Sequence, residues 1–215
     1  MALQFYFGSG SPFVWRVHLA LEHKRVAYEL KQLSFTAGDH KKPEFSRLNP
    51  RHKVPAIVDE GFVLYESSAI LEYLDERFPD APSLFPGGLR ERAIIRRMIR
   101  EIDSVYVASH ERLTAQLFFM ASEQWNVAEI GAGVAGCKEE LAFFEQEMRG
   151  DFLAGSLSAA DFTLYPFVAT IERFEKKKSD LGLSTAIGPK LNAWRKRIEA
   201  LPYYDKTHPP HWRTT

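Results

Sequence analysis

The segment Ser9-Gly10-Ser11-Pro12-Phe13 places a hydroxyl, a glycine and a proline directly after an aromatic-rich run. Proline suits the first turn of a helix, where its missing N–H costs nothing, and a serine before it suits the N-cap position. Ser11 therefore has a structural interpretation as a helix cap, which this segment alone favours. A capping hydroxyl still has its own proton to donate, and a thiolate placed there would feel the positive end of the helix dipole.

The segment Asn49-Pro50-Arg51-His52-Lys53-Val54-Pro55 ends in a proline that opens an apolar run. A cis Val54–Pro55 bond would turn the backbone of Val54 outward, where its N–H and C=O could pair with an extended peptide. The alternative is an ordinary turn into a strand. The segment on its own slightly favours that ordinary turn.

The segment Leu64-Tyr65-Glu66-Ser67-Ser68-Ala69-Ile70 predicts a strand followed at once by a helix. The free N–H groups at a helix start form a carboxylate site, to which Ser67 would add a hydroxyl. Glu66 could meet an ammonium group. The alternative is structural, with Ser67 capping the helix and Glu66 complementing its dipole, and this alternative is stronger for the segment alone.

Short alternating elements must position these segments. Leu3–Phe7 reads as a strand, and apolar residues at helical spacing predict a helix that ends near residues 24–25. Residues 26–33 read as a second strand, and 55–58 with 62–64 as a hairpin around Asp59-Glu60-Gly61. The apolar stripe of Ala69, Ile70, Tyr73 and Leu74 predicts a helix after the hairpin. The predicted order is βαβ, an irregular stretch, then ββα.

Residues 79–88 are rich in proline and glycine and read as a linker, beyond which almost every pattern is helical. One long helix is predicted around residues 95–106, and further helices at about 125–148, 158–174 and 188–200. Ser158 and Asp161 have the spacing of a reciprocal capping box. We therefore predict an α/β domain over residues 1–78, the linker 79–88, and an all-α domain over residues 89–215.

The composition excludes several classes of protein. Lys plus Arg number 28 against 28 for Asp plus Glu, so no net field draws the chain to nucleic acid or to an anionic membrane. The single cysteine, Cys137, cannot form an intramolecular disulfide and fits a reducing compartment. The first residues lack the features of a signal peptide, and no run approaches the roughly 20 apolar residues of a membrane span. We expect a cytoplasmic protein.

Together the three segments resemble the glutathione transferase family, and the resemblance covers nearly the whole chain. SPFVWRVHLALEHKRVAYE is similar to the first helix and second strand of its serine-type members. NPRHKVPAIVDEGFVLYESSAILEYLDERFP is similar to the family's glutathione-binding core, and FLAGSLSAAD to its capping-box segment. The resemblance implies a thioredoxin-like α/β N-terminal domain, an all-α C-terminal domain and a homodimer, for which Tyr65, Ile95 and Met98 are candidate interface residues.

The resemblance also implies residue roles in glutathione binding. Ser11 falls where serine-type members place the hydroxyl that stabilises the thiolate. Val54, before the family's cis-proline, would pair with the cysteinyl backbone of glutathione. The remaining contacts would be made by Glu66 and Ser67 at the γ-glutamyl end, and by Lys53 and His40 at the glycyl carboxylate. Glutathione is thus expected as co-substrate, with no metal.

We expect the reaction to be attack of the thiolate on a small hydrophobic electrophile, a detoxification chemistry. Candidates for the wall of the electrophile site are Phe13, Tyr106 and His110, because the long helix after the linker would face the Ser11 turn. A glutathione-dependent isomerase or dehalogenase on the same scaffold is the alternative enzyme. An alternative of another class is a glutathione-binding or protein-interaction module without turnover.

Two departures from the family pattern leave the subclass open. The family commonly has glycine where this chain has His52, so the turn before Lys53 is expected to differ. The thiol-transferring classes have cysteine in place of Ser11, which argues against disulfide exchange. Trp15-Arg16-Val17 is similar to the zeta-type isomerases, but their Ser-Ser-Cys segment is missing from this sequence.

Other patterns carry no function in this interpretation. Gly131-Ala132-Gly133-Val134-Ala135-Gly136 spells a dinucleotide motif but lies among helical patterns instead of after a strand. Cys137 on the same stretch reads as a buried, inert thiol. The seven histidines lack paired ligand spacing, so we expect no metal site, and Lys176-Lys177-Lys178 reads as a solvated helix end.

Overall fold

The computed structural model describes residues 2–212, which form two units. The α/β unit comprises residues 2–85 and 201–212, and the helical unit comprises residues 86–200. The sequence prediction placed the last segment with the helical domain. In the structure its aromatic side chains pack on the first helix instead, so residues 201–212 are part of the α/β unit.

The α/β unit is built on a four-stranded sheet in the order β2-β1-β3-β4. Strand β1 runs parallel to β2 and antiparallel to β3, and β3 forms the predicted hairpin with β4. Alternating Leu3 and Phe5 of β1 are buried, as expected for a strand with one face on a core. The bounds are β1 Leu3–Phe7, β2 Tyr28–Gln32, β3 Ala56–Asp59 and β4 Phe62–Tyr65.

Two longer helices, α1 Pro12–His23 and α3 Ser67–Arg77, accompany the sheet. Two four-residue helices belong to the same unit, namely α2 Pro43–Ser46 and Tyr204–Thr207 in the C-terminal segment. The second strand begins later than the predicted residue 26, and the end of α1 gives the reason. Arg25 adopts a left-handed φ of 55°, and the Val26 N–H donates to the Leu21 carbonyl at 3.1 Å. Val26 therefore closes the helix in a Schellman-type arrangement and cannot start the strand.

The helical unit begins with α4 Leu89–Glu101, a π-helical turn Ile102–Tyr106 and α5 Val107–Phe119, which together form the predicted long helix. It continues with α6 Val127–Glu147, α7 Ala159–Ala169, α8 Ile171–Lys177 and α9 Pro189–Glu199. The single helix predicted over 158–174 is divided at Thr170. Pro166 lacks an N–H inside α7, and the Thr170 hydroxyl donates to the Pro166 carbonyl at 2.8 Å, which favours a bend.

The predicted capping box at the start of α7 is confirmed. The Asp161 carboxylate accepts from the Ser158 N–H at 2.8 Å and from the Ser158 hydroxyl at 3.0 Å. It also accepts from the Leu153 N–H and from Trp194 Nε1, each at 2.9 Å. Burial raises the pKa of Asp161 to about 6, and these hydrogen bonds oppose that rise.

The glycine-rich stretch lies within α6 and serves helix packing. A Cβ on Gly133 would lie 2.9 Å from Leu113 Cγ and 3.0 Å from the Ser109 carbonyl oxygen, both on α5. A Cβ on Gly136 would lie 2.1 Å from the Ser109 hydroxyl oxygen. The small residues therefore let α5 and α6 approach closely. A dinucleotide-binding fold needs a strand directly before this motif, whereas here the motif lies inside α6 and follows α5. No helix within residues 2–212 is both long and apolar enough to cross a membrane.

Candidate active site

Ser11 is the N-cap residue of α1, directly beyond the carboxyl end of β1. Its Oγ accepts from the Val14 N–H at 3.4 Å, and Pro12 occupies the first helical position. The side chain is half-buried. Because the cap uses Oγ as an acceptor, the hydroxyl proton remains available for an anion at the helix start, where the dipole is positive.

The start of α3 has an unusual backbone at Glu66, whose φ of 73° and ψ of 107° fall outside the common regions. Such a conformation costs about 1–3 kcal/mol for a residue other than glycine and is concentrated at functional sites. The Glu66 carbonyl accepts from the Ile70 N–H at 2.9 Å, which leaves the three preceding N–H groups without intrahelical partners. Ser67, the first of them, is buried, whereas the side chain of Glu66 is exposed.

The turn before β3 keeps the conformation that glycine favours, although its residue is His52. The φ of His52 is 56°, in the left-handed region. Its Nδ1 lies 3.1 Å from Ser46 Oγ and 3.2 Å from the carbonyl oxygen of His40. These side-chain contacts help to stabilise a backbone conformation that costs about 1–2 kcal/mol for a residue with a Cβ.

Buried Asn49 braces the same turn from inside. Its Oδ1 accepts from the Arg51 N–H at 2.9 Å, and its Nδ2 donates to the Lys53 carbonyl at 2.7 Å. The Val54–Pro55 peptide bond that follows is cis, as the family resemblance implied. Within residues 2–212 the backbone N–H and C=O of Val54 have no hydrogen-bond partner.

The strand register brings the three segments to one edge of the sheet. Tyr6 of β1 lies opposite Ala56 of β3, and Ala56 lies opposite Tyr65 of β4. The chain therefore leaves β1 after Tyr6, enters β3 at Ala56 and leaves β4 after Tyr65 at the same edge of the sheet. The Ser11 turn, the Val54–Pro55 bond and the Glu66–Ser67 helix start lie at these three points.

His40 and Lys53 flank this edge in different ways. The His40 ring is half-buried, with its centroid 5.5 Å from that of Phe35, and its carbonyl is tied to the His52 side chain. The Lys53 side chain is exposed. Two exposed charges of opposite sign thus flank the hairpin, with Lys53 in the turn before β3 and Glu66 directly after β4. This arrangement suits a peptide ligand with a charge at each end.

Tyr106 and His110 lie inside the helical unit, where they are 0% and 2% exposed. The His110 ring packs against Phe167 and Phe174 with centroids 5.0 and 4.9 Å away. Burial lowers the pKa of His110 to about 3 and raises that of Tyr106, so both groups are neutral near pH 7. The sequence analysis predicted that both residues line the electrophile site. In the structure they lie on the face of the helix that packs into the core, so neither offers an exposed surface to a ligand.

A groove of about 720 Å³ opens at the opposite end of the sheet, beside the amino-terminal end of β1. Its lining includes Arg25, Glu60, Arg77 and Asp80. Both cations and anions line the groove, and Arg77 already pairs with Asp59 at 3.0 Å and with Glu60 at 3.6 Å. This groove is therefore distinct from the edge that carries Ser11.

A contact that the sequence analysis missed joins the C-terminal segment to the Ser11 turn. The Nδ1 of His211 lies 3.1 Å from Ser9 Oγ, across 202 positions of sequence. The ring also lies against Gly10, where an added Cβ would be 2.9 Å from its Cε1 and Nε2 atoms. No local pattern around residue 211 predicts this contact, because it depends on the path of the chain after α9.

Comparison with known proteins agrees with this architecture. A family model described as the glutathione S-transferase N-terminal domain matches residues 10–77, and one described as the C-terminal domain matches residues 112–202. Glutathione S-transferase A of Pleuronectes platessa is 32% identical over 219 residues, covering 96% of this chain and 91% of that protein. The maleylacetoacetate isomerase of Dictyostelium discoideum is 32% identical over 197 residues, covering 87% and 88%.

The solved structures agree as well. A glutathione S-transferase from the Antarctic clam Laternula elliptica matches with a TM-score of 0.83 at 30% identity, covering 100% of this chain and 95% of that one. The chain therefore belongs to the glutathione S-transferase family. The predictions of a thioredoxin-like α/β N-terminal domain, a helical C-terminal domain and a glutathione transferase enzyme are confirmed.

Proposed function

We propose that this enzyme binds glutathione along the sheet edge described above and ionises its thiol at Ser11 for attack on a small hydrophobic electrophile. The observation that carries the proposal is the convergence of three features on one edge. These are a capping hydroxyl at the start of α1, an unpaired backbone at Val54 and a helix start at Ser67. Together they can hold a thiolate, an extended peptide backbone and a carboxylate.

The energetic scale fits this role for Ser11. A free thiol has a pKa of about 8.5, so only a few per cent is ionised at pH 7. Lowering the pKa by about two units requires roughly 2.7 kcal/mol of preferential stabilisation of the anion. A charge-assisted hydrogen bond contributes about 1.5–3 kcal/mol, and the helix terminus typically adds about 0.3–1 kcal/mol.

The remaining contacts follow the chemistry of the peptide. In our proposal Val54 pairs with the cysteinyl backbone, while Ser67 and the α3 N–H groups hold the γ-glutamyl carboxylate. Glu66 meets the ammonium group at that end. Lys53, with His40, meets the glycyl carboxylate.

For the electrophile site we retain only Phe13. Its half-buried ring lies two residues from Ser11 and has the Arg16 guanidinium carbon 5.1 Å from its centroid. Tyr106 and His110 are left out, because a side chain enclosed in a core cannot contact a ligand without rearrangement.

The proposal is tested by assaying the purified protein with glutathione against aryl halides, epoxides, peroxides and maleyl-type diacids. Conjugation of at least one electrophile, dependent on glutathione and weakened in Ser11→Ala, is the expected result. Binding of glutathione without turnover of any compound would favour the non-catalytic binding module. Failure to bind glutathione at all would contradict the proposal.

A glutathione-dependent isomerase is the second candidate, favoured by the 32% identity to the maleylacetoacetate isomerase of Dictyostelium discoideum. The same panel separates the two. An isomerase converts a cis diacid without net consumption of glutathione, whereas conjugation consumes one glutathione per product. Conjugation of an aryl halide also releases halide, so a dehalogenase is recognised by an organic product that carries neither the halogen nor glutathione, as measured by mass spectrometry.

We also propose a homodimer in the cytoplasm with a role in detoxification, on the basis of family membership. Ile95 and Met98, considered for the interface, are 1% and 0% exposed and belong to the core of the helical unit. Leu89 and Val105, at 86% and 46% exposure, are better candidates in that unit, as is Phe62 at 51% in the α/β unit. Light scattering that gives a monomer mass at micromolar concentration would contradict the dimer.

A further inference from the structure

The C-terminal segment 201–212 runs along α1 from the end of that helix to its start. Near the end of α1, Tyr203 Oη lies 2.9 Å from His23 Nδ1, and Lys206 Nζ pairs with Glu22 at 2.7 Å. Further along, contacts gather on the buried indole of Trp15. Its Nε1 donates to Thr207 Oγ1 at 3.0 Å, and its rings meet those of His208 and Trp212 edge-on at 5.2 and 5.3 Å.

The segment ends on the turn that carries Ser11. His211 Nδ1 lies 3.1 Å from Ser9 Oγ. The imidazole ring covers Gly10, whose φ of 90° and missing Cβ allow the approach. Any larger residue at position 10 would meet the ring at 2.9 Å.

The local hydrogen bonds of the Ser11 turn are long, so a contact from outside the turn can help to fix it. The Val14 N–H to Ser11 Oγ distance of 3.4 Å is at the long end for a hydrogen bond. Gly10, directly before Ser11, has the widest choice of backbone conformations of any residue. The short contact from His211 to Ser9 restricts the turn on the other side of that glycine.

We propose that His211 is a positioning residue, which fixes the Ser9–Gly10–Ser11 turn so that the Ser11 hydroxyl points at the glutathione thiol. This inference rests on the proposed function. A displacement of about 1 Å in a catalytic group can reduce a rate by about a hundredfold, so a restraint on one turn is enough to matter. The C-terminal segment thereby becomes part of the active-site support, although it is distant from Ser11 in sequence.

The test uses three variants of the full chain. His211→Ala removes the bond to Ser9 and the ring over Gly10. His211→Asn keeps a polar atom near the position of Nδ1, and Lys206→Ala breaks a contact at the far end of the same segment. For each variant we would measure kcat, the KM for glutathione and the pH midpoint of bound thiolate by ultraviolet absorption. Amide hydrogen exchange at residues 9–14 would be measured without glutathione.

We expect His211→Ala to raise the thiol pKa by about 0.5–1 unit and to lower kcat at neutral pH by about three- to tenfold. Its KM for glutathione should stay within about twofold, because the contacts at both peptide ends are intact. Exchange at residues 9–14 should become faster. His211→Asn should recover most of the loss, and Lys206→Ala should match the wild type.

The outcomes separate the two claims. A wild-type thiol that titrates like free glutathione would overturn the proposed function and, with it, the role assigned to His211. A low wild-type midpoint that His211→Ala leaves unmoved, with wild-type kcat, would overturn the positioning role alone. The positioning role would be overturned even if the melting temperature fell, because a purely structural contact changes stability without moving the titration.

Discussion

Trp194 Nε1 donates a hydrogen bond to Asp161 Oδ1 at 2.9 Å inside the helical unit, where both residues are fully buried. The same carboxylate accepts from the N–H groups of Leu153 and Ser158. Asp161 thereby joins the start of α7, the preceding loop and α9 at one point. Its removal would leave several buried donors without an acceptor.

We therefore expect Asp161→Ala to lower the free energy of unfolding by about 3–5 kcal/mol, measured by urea denaturation. Ser158→Ala is the matched control, since it removes the capping hydroxyl but leaves the carboxylate and should cost about 1 kcal/mol. A loss below about 1 kcal/mol in Asp161→Ala would show that the network is not a stability centre.

Acid sensitivity should follow from His110. Burial lowers its pKa to about 3 in the folded protein, from an ordinary value of 6.5. As the pH falls below that ordinary value, the unfolded chain takes up a proton that the folded chain refuses. The free energy of unfolding therefore falls, by up to about 1.4 kcal/mol per pH unit for this group.

His110→Leu should flatten this dependence between about pH 6 and pH 4 in denaturation curves recorded at several pH values. In the variant, His18, whose pKa burial lowers to about 4, and Asp161, whose pKa burial raises to about 6, contribute slopes of opposite sign in this range. Curves for wild type and His110→Leu that run parallel across this range would contradict the buried neutral state of His110.

The left-handed backbone at His52 should determine which residue types are tolerated at this position. His52→Gly should leave stability near the wild-type value, because relief at a φ of 56° offsets the lost contacts to Ser46 and His40. His52→Val should lose about 1–2 kcal/mol more than the glycine variant, since a β-branched residue is disfavoured there. Thermal unfolding of the pair would show equal stabilities if the turn does not require this conformation.

The sequence predicted the elements with strong local patterns and the residues inside them. The strand Leu3–Phe7, the hairpin and the Ser158–Asp161 capping box depend on neighbours in sequence, so their patterns suffice. The predicted start of β2 at Val26 was wrong, because the Val26 N–H donates to the Leu21 carbonyl at the end of α1. A helical stripe does not reveal what covers it, so Tyr106 and His110 were assigned to a ligand site although they face a core. The contact of His211 with Ser9 depends on tertiary structure alone.

The charged ends of glutathione give a direct test of the binding site. Lys53→Ala and Glu66→Gln should each weaken glutathione binding by about tenfold, or about 1.4 kcal/mol, with kcat at saturation changed little. Calorimetry at low salt measures the change in affinity. Arg51→Ala is the matched control, since it removes an exposed charge from the same turn without a proposed contact. Unchanged affinity in both variants would remove the proposed placement of glutathione.

The central claim is that the Ser11 hydroxyl stabilises the glutathione thiolate, and Ser11→Ala tests it most directly. Loss of one charge-assisted hydrogen bond of about 1.5–3 kcal/mol should raise the pKa of the bound thiol by about one to two units. Glutathione affinity should hardly change, and conjugation at neutral pH should fall by about ten- to a hundredfold, with much of the deficit vanishing at high pH.

Ultraviolet titration of bound thiolate in the wild type and in Ser11→Ala is the deciding measurement. We predict a midpoint well below that of free glutathione in the wild type, and one shifted upward in the variant. If Ser11 is only the cap seen in its contact with Val14, the variant should lose about 1 kcal/mol of stability and keep its midpoint. An unshifted midpoint with full activity at neutral pH would contradict the account.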